Sequence, residues 1–185
     1  MSDPHALAAR RGLPAEMLYL REALPRDRWQ AHAIPQQAAF WLQMHQGFRQ
    51  ASVSMARAVA DHRAGAIDTR AYHDRLLPTL ASFLQHLDGH HRVESGHYFP
   101  QFRQIEPRIA AGIDLLDRDH DAVHAHLEAL AAVGNAFHQA IRSGAPADDL
   151  AKRLAETLDG AAPPLVRHLD DEEDIVIPLI TLRGG

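Results

Sequence analysis

Three segments of the chain each hold two potential metal ligands four residues apart, and a fourth segment holds a single histidine. Four steps along an α-helix, at about 100° per residue, return to nearly the same face, so both side chains of a pair can point in one direction. Imidazole and carboxylate groups bind transition metals. The candidate metal ligands are therefore His45, His90, Glu94, His120, His124, His168 and Glu172.

The composition of this set restricts the metal centre that it could form. The chain has no cysteine, which excludes iron–sulfur clusters and cysteine-type zinc sites. Five imidazoles and two carboxylates exceed the four ligands that one zinc ion usually takes. They suit two ions, with carboxylates bridging and imidazoles in terminal positions. Such nitrogen and oxygen ligands favour iron, with manganese next.

Four long amphipathic segments would position these side chains. Strand signals are scarce, whereas apolar residues recur at steps of three and four from about 35 to 64, 68 to 99, 107 to 143 and 148 to 181. Gly65 and Gly144 are the stop signals of the first and third segments. Long helices with short connections predict an all-α fold, an antiparallel up-down four-helix bundle. Prolines at 78, 163 and 164 are expected to bend or interrupt the helices.

The remaining sequence is expected to form an N-terminal extension (residues 1–34) that packs on the bundle of residues 35–185. This extension holds only a short apolar patch, broken by Pro14 and Pro25. A formal net charge of −5 without a basic stripe argues against nucleic acid as a partner. The apolar runs are too short to span a membrane, and the first residues lack the apolar core of a signal peptide, so we expect a cytoplasmic protein.

The four ligand segments follow one another in the order of a known family. They read WLQMHQGFR, HHRVESGHYFP, DHDAVH and HLDDEEDIVIP, and from about residue 36 to 181 the chain resembles the hemerythrins and hemerythrin-like (HHE cation-binding) proteins. That family places one histidine on its first helix, HxxxE on the second, HxxxH on the third and a histidine followed by a carboxylate on the fourth. The resemblance implies a non-heme centre of two iron ions, oxo- and carboxylate-bridged, with one iron open to dioxygen.

Two neighbours of the candidate ligands need a separate assignment. Respiratory hemerythrins carry the last carboxylate one residue later, which would select Glu173. The HHE-type members match Glu172, so Glu173 is expected to contact a ligand rather than a metal ion. His91 lies about 100° around its helix from His90 and is expected at the flank of the bundle.

Three functions remain open on these observations. The chain could bind or sense dioxygen or another small diatomic molecule, with an unidentified protein partner if it signals. It could be an enzyme that turns over peroxide, oxygen or nitric oxide, or an iron-handling or zinc-binding protein without a redox role. Peroxide turnover needs acid–base groups beside the metal, and His86 and His97, which could both face the site, are the candidates. We favour binding.

Overall fold

The computed structural model describes residues 5–31 and 33–184, and this part of the chain is helical and contains no strand. Its α-helices are α1 Tyr19–Ala23, α2 Gln36–Arg63, α3 Thr69–Val93, α4 Phe99–Ile105, α5 Ala110–Ser143 and α6 Asp148–Leu182. A π-helical turn, Glu94–Tyr98, joins α3 to α4. None of the described helices combines the length and apolarity that crossing a membrane requires. The prediction of an all-α helical bundle is confirmed.

The helices are arranged in two compact units, and each of the four long helices contributes to both. The first unit takes in the chain up to Gln46, His91–Ala122 and the residues from Pro164 onward. The second takes in Gly47–His90 and Val123–Pro163. Along the chain, α2 passes from the first unit into the second, α3 returns, α5 passes over again and α6 returns. Successive long helices thus begin alternately in the first and in the second unit.

The ends of the long helices follow from local backbone chemistry. Gly65 and Gly144, which follow α2 and α5, have φ angles of 69° and 70°. This left-handed conformation closes a helix C-terminus, and glycine adopts it without strain. Asp68 precedes α3, and its carboxylate accepts a hydrogen bond of 2.7 Å from the backbone N–H of Ala71. Asp68 therefore caps the first turn of α3.

Proline interrupts these helices less than the sequence suggests. Pro78 lies inside α3, and Pro163 and Pro164 lie inside α6. The sequence predicts that the second long helical segment ends before Pro100, but the chain stays helical to Ile105. Pro100 occupies the first turn of α4, where a missing N–H removes no hydrogen bond of that helix. The expected end at this proline is therefore wrong.

The N-terminal extension contributes to the apolar core of the first unit. Leu13, Leu20, Leu24 and Trp29 are buried there together with apolar residues of α2, α4, α5 and α6. The indole N–H of Trp29 donates to the carbonyl oxygen of Leu24 at 3.1 Å. Since these side chains share one core with the long helices, we expect the extension to unfold together with the first unit.

Replacing one of these core residues tests that expectation. Leu24 is fully buried, so Leu24→Ala should lower the free energy of unfolding by about 2–5 kcal/mol, the usual cost of a leucine-sized cavity. Val53, at 53% exposure, supplies a control, and Val53→Ala should change it by no more than about 0.5 kcal/mol. Urea denaturation followed by circular dichroism measures both. Equal stability of the two variants would show that the extension is not part of the cooperative fold.

Candidate metal centre

Three buried histidines from three helices converge in the first unit. His91 comes from α3, His120 from α5 and His168 from α6, and one ring nitrogen of each lies within 4.8 Å of the others. The rings of His91 and His120 stack with centroids 4.1 Å apart, and His168 meets His120 edge-on at 5.0 Å. We call this set the three-histidine group. Three imidazole nitrogens at this spacing suit one transition-metal ion.

A second set of possible ligands lies in the same unit. His45 of α2, Glu94 at the start of the π-helical turn and Glu172 of α6 each offer one ligand atom, and these atoms also lie within 4.8 Å of one another. The three side chains are buried, with at most 1% of their surface exposed. We call this set the mixed group. All three of its members were predicted from the sequence.

The two carboxylates connect the mixed group to the three-histidine group. Oε1 of Glu172 lies 3.6 Å from Nε2 of His45, and its Oε2 lies 3.4 Å from Nε2 of His168. Oε2 of Glu94 lies 3.4 Å from Nε2 of His120. One carboxylate thus faces an imidazole of each group with a different oxygen. This is the arrangement that a carboxylate bridging two metal ions requires.

Two of the imidazoles present Nε2 to these carboxylates because Nδ1 is held from the other side. Nδ1 of His45 lies 3.1 Å from a carboxylate oxygen of Glu173. Nδ1 of His120 lies 2.9 Å from the hydroxyl oxygen of Ser95, which donates its proton to Asp117 at 2.6 Å. A carboxylate only accepts and a hydroxyl has a single proton, so both Nδ1 atoms carry the hydrogen. Each Nε2 then carries the lone pair with which an imidazole would bind a metal ion.

His168 has the same orientation and gives the clearest indication of a cation. Its Nδ1 lies 3.6 Å from Oδ2 of Asp119, which is near enough for electrostatic attraction but too far for a hydrogen bond. Its Nε2 is buried 3.4 Å from Glu172, yet makes no hydrogen bond with any residue that the structure describes. A buried nitrogen without a hydrogen bond is costly, and lone pairs facing carboxylate oxygens repel unless a cation lies between them. The residues present therefore fit a pair of metal ions.

His90 and His91 lie on either side of the inward line of α3. Leu87 and Glu94 mark this line, and the two histidines follow Leu87 by three and four residues. The sequence predicts His91 at the flank, but only 6% of its surface is exposed and it belongs to the three-histidine group. That expectation is wrong. His90 is half-buried and is the last residue of the Gly47–His90 segment of the second unit. Its ring centroid lies 5.2 Å from that of Phe48 in the same unit.

His124 is not placed where the family's HxxxH pattern led us to expect it. Its side chain is 52% exposed, and its ring nitrogens lie 3.6 Å from Asp88 and 3.4 Å from Glu128. The buried stripe of α5 advances by alternating steps of four and three, so Val123 is the inward position after His120. A second step of four carries His124 past the stripe to the surface. The structure thus places His124 outside both groups of possible ligands.

The sequence left open whether His86 and His97 face the site, and in the structure both side chains are exposed. His86 contacts the hydroxyl of Ser82 at 3.2 Å. His97 contacts the side-chain amide of Gln101 at 3.3 Å. Its position follows from the π-helical turn, which holds one more residue than an α-helical turn. His97, three residues after Glu94, therefore does not lie on the same helix face as Glu94.

The residues that lie at the Nδ1 atoms of these histidines were only partly predicted from the sequence. Glu173 lies against His45, where the sequence analysis expected it to contact a ligand. Asp119 and Ser95 were not selected. Asp119 directly precedes His120, and a charged neighbour of a ligand would ordinarily face solvent. The spacing of Asp119 could have predicted its burial. Asp119 and His120 follow the buried Leu116 by three and four residues, just as His90 and His91 follow Leu87.

Burial and neighbouring donors shift the carboxyl groups of the site in opposite directions. Burial raises the pKa of Glu94 to about 8. Burial would also raise the pKa of Asp119, but hydrogen bonds and charge from Arg10 and His168 hold it below its ordinary value. The indole N–H of Trp41 donates to Oε1 of Glu172 at 2.5 Å. This hydrogen bond fixes the orientation of the carboxylate that faces both groups.

The chain also matches a known protein family. The family described as hemerythrin HHE cation binding domain matches residues 37–180, which is most of the chain. The matched range includes every residue of the three-histidine group and of the mixed group. No curated protein and no solved structure matches the chain.

The raised pKa of Glu94 predicts how the metal-free protein responds to pH. The unfolded chain releases this proton near 4.5 and the folded chain near 8, so the folded state binds more protons between these values and its stability falls as pH rises through them. Glu94→Gln keeps the shape and stays neutral. Its metal-free form should lose less stability over this range, as measured by denaturant unfolding in chelator. Equal pH slopes in the two proteins would contradict the buried neutral carboxyl.

Proposed function

Because the chain belongs to the hemerythrin HHE cation-binding family, we propose that it holds two iron ions at the two groups. His91, His120 and His168 would hold one ion, His45 and His90 the other, and Glu94 and Glu172 would bridge them. The position of Glu172, with one oxygen toward each group, is the observation that carries this proposal. Compared with the family pattern, His91 of α3 takes the place of the second histidine of HxxxH.

His90 enters this ligand set by its position in the chain. It immediately precedes His91 and lies four residues before Glu94, the spacing at which two helical side chains share a face. The unequal numbers of histidines would leave the ion at His45 and His90 with fewer protein ligands. That ion is therefore the one with room for an external molecule.

We propose further that this molecule is dioxygen or another small diatomic. A pair of iron(II) ions, when bound, would supply the two electrons that dioxygen accepts on binding. Around His45 the chain supplies aromatic walls, since the ring centroid of Trp41 lies 6.4 Å from that of His45, 5.1 Å from that of Tyr98 and 5.8 Å from that of Phe102. Such walls exclude water and admit a small, weakly polar molecule.

The exposure of His86 and His97 favours binding over turnover of peroxide. These imidazoles were the candidate proton donors of an enzyme, and neither side chain is buried. An iron-handling or zinc-binding role would use the same ligands without the redox step. The identity of the bound ions separates that role from the proposal.

Metal analysis joined to a visible spectrum tests the proposal. Protein produced with added iron should contain about two iron ions per chain, because its ligands exceed the needs of one ion. The anaerobically reduced protein should gain a charge-transfer absorption band on exposure to oxygen, or to nitric oxide as a second probe. Two zinc ions and no band with either gas would overturn the di-iron proposal in favour of a zinc site.

Two single substitutions test the revised ligand set. His91→Ala removes a buried member of the three-histidine group and should lose about one of the two ions. His124→Ala removes the half-exposed histidine of α5 and should keep both. Elemental analysis after gel filtration gives the metal content of each variant. Metal loss in His124→Ala with retention in His91→Ala would restore the family's usual assignment.

A further inference from the structure

We propose that Arg10 and Arg26 of the N-terminal extension are positioning residues of the metal centre. Each guanidinium group binds a buried carboxylate, and that carboxylate lies against Nδ1 of a metal-binding imidazole. The extension would then do more than cover the first unit, because it would fix the rotation of two ligand rings. The metal role of those rings rests on the proposed function.

The first connection runs from Arg10 through Asp119 to His168. Arg10 is buried, with 8% of its surface exposed. Its Nη1 donates to Oδ1 of Asp119 at 2.8 Å, and its Nη2 donates to Oδ2. Oδ2 of Asp119 in turn lies 3.6 Å from Nδ1 of His168. Nε of Arg10 donates to Asp171 at 2.9 Å, so the guanidinium is itself held by two carboxylates.

The second connection runs from Arg26 through Glu173 to His45. Nη1 of Arg26 donates to Oε2 of Glu173 at 2.9 Å, and Oε1 of Glu173 lies 3.1 Å from Nδ1 of His45. Nε of Arg26 donates to Asp174 at 2.6 Å, and Nη2 donates to the carbonyl oxygen of Asp170 at 2.6 Å. Every nitrogen of this guanidinium therefore contacts α6, the helix that also carries Glu172.

A third connection shows that the pattern is not limited to the extension. Nδ1 of His120 contacts Ser95, Ser95 donates to Asp117, and Nη2 of Arg103 donates to Asp117 at 2.9 Å. Arg103 belongs to α4. His45 and His120 thus have a hydrogen-bonded oxygen partner at Nδ1, His168 has a carboxylate oxygen 3.6 Å from Nδ1, and an arginine lies beyond each of these oxygens. The extension supplies two of these three arginines.

The geometry of these contacts suits positioning. Arg10 binds both oxygens of Asp119 and so fixes the plane of that carboxylate, which a lysine does not do. Arg26 holds one oxygen of Glu173 while the other oxygen faces His45. A fixed carboxylate restricts rotation of the imidazole that faces it, and Nε2 then stays directed at the metal. Loss of such an outer partner commonly weakens metal binding about 10–100-fold. Without Arg10, Asp119 would also be a buried carboxylate without this partner, so its position beside His168 would change.

Packing alone is the competing explanation, because the extension also buries leucines in the first unit. Two control variants separate the roles. Leu20→Ala weakens the packing of the extension, since Leu20 is only 2% exposed. This substitution leaves the guanidinium of Arg10 in the sequence. Arg11→Ala removes a neighbouring arginine that is exposed. A positioning role predicts that neither control changes the metal centre, even though Leu20→Ala lowers stability.

The test uses the full chain loaded with Co(II), whose visible absorption bands report ligand geometry. Metal retention is measured by competition with a chelator. We expect Arg10→Ala and Arg26→Ala to weaken metal binding about 10–100-fold and to alter the Co(II) bands. Arg10→Lys should bind with intermediate strength, and it replaces Arg10→Ala in the test if that variant does not fold. Equal weakening in Leu20→Ala, or unchanged binding and bands in both arginine variants, would overturn the proposal.

A double-mutant cycle decides whether Arg10 acts through Asp119. Asp119→Asn should weaken metal binding by itself, and adding Arg10→Ala should then have little further effect because the connection is already broken. Effects that simply add would overturn action through this carboxylate. His168→Ala in the same assay separates the two levels of the proposal. If His168→Ala loses metal and the arginine variants do not, the proposed metal centre is supported and the positioning role of the arginines is overturned. If His168→Ala loses no metal, both the metal centre and the positioning role are overturned.

Discussion

The burial of ionisable ligands is the constraint on which the rest of this structure depends. Imidazoles and carboxylates at the centre of a helical bundle lose their hydration, and they are tolerated only when other groups or a metal ion replace it. His45, His168 and Glu172 are fully buried. The surrounding polar groups supply part of this replacement, because Glu173 lies at Nδ1 of His45, and Ser95 with Asp117 lies at Nδ1 of His120.

Much of the fold and part of the site could be predicted because they depend on local patterns. Helix ends at Gly65 and Gly144 follow from the conformational freedom of glycine. His45, Glu94 and Glu172 lie on apolar stripes, and a residue at the centre of a stripe is buried whatever its neighbours are. At the edge of a stripe, a difference of one residue decides burial. That is why the sequence analysis excluded His91 and included His124.

The outer part of the site could not be predicted because it depends on contacts between residues distant in the chain. Arg10 binds Asp119 and Asp171 across 109 and 161 residues. In the sequence these are ordinary charged residues, and such residues usually face solvent. Helical periodicity also says nothing about the N-terminal extension, whose helices are short. Only the folded core brings its two arginines to the acids of α5 and α6.

The proposed exchange of His124 for His91 would change which helix supplies most of the ligands. With His90, His91 and Glu94 close together in sequence, α3 and the turn after it would supply three ligands, whereas α5 would supply one. The chain must then turn Glu94 inward and still bury Phe99, whose ring stacks on His120 at 5.3 Å. The additional residue of the π-helical turn makes both possible, since a regular α-helix would rotate the following residues to another face. The π-helical turn is thus the local backbone feature that accommodates this redistribution of ligands.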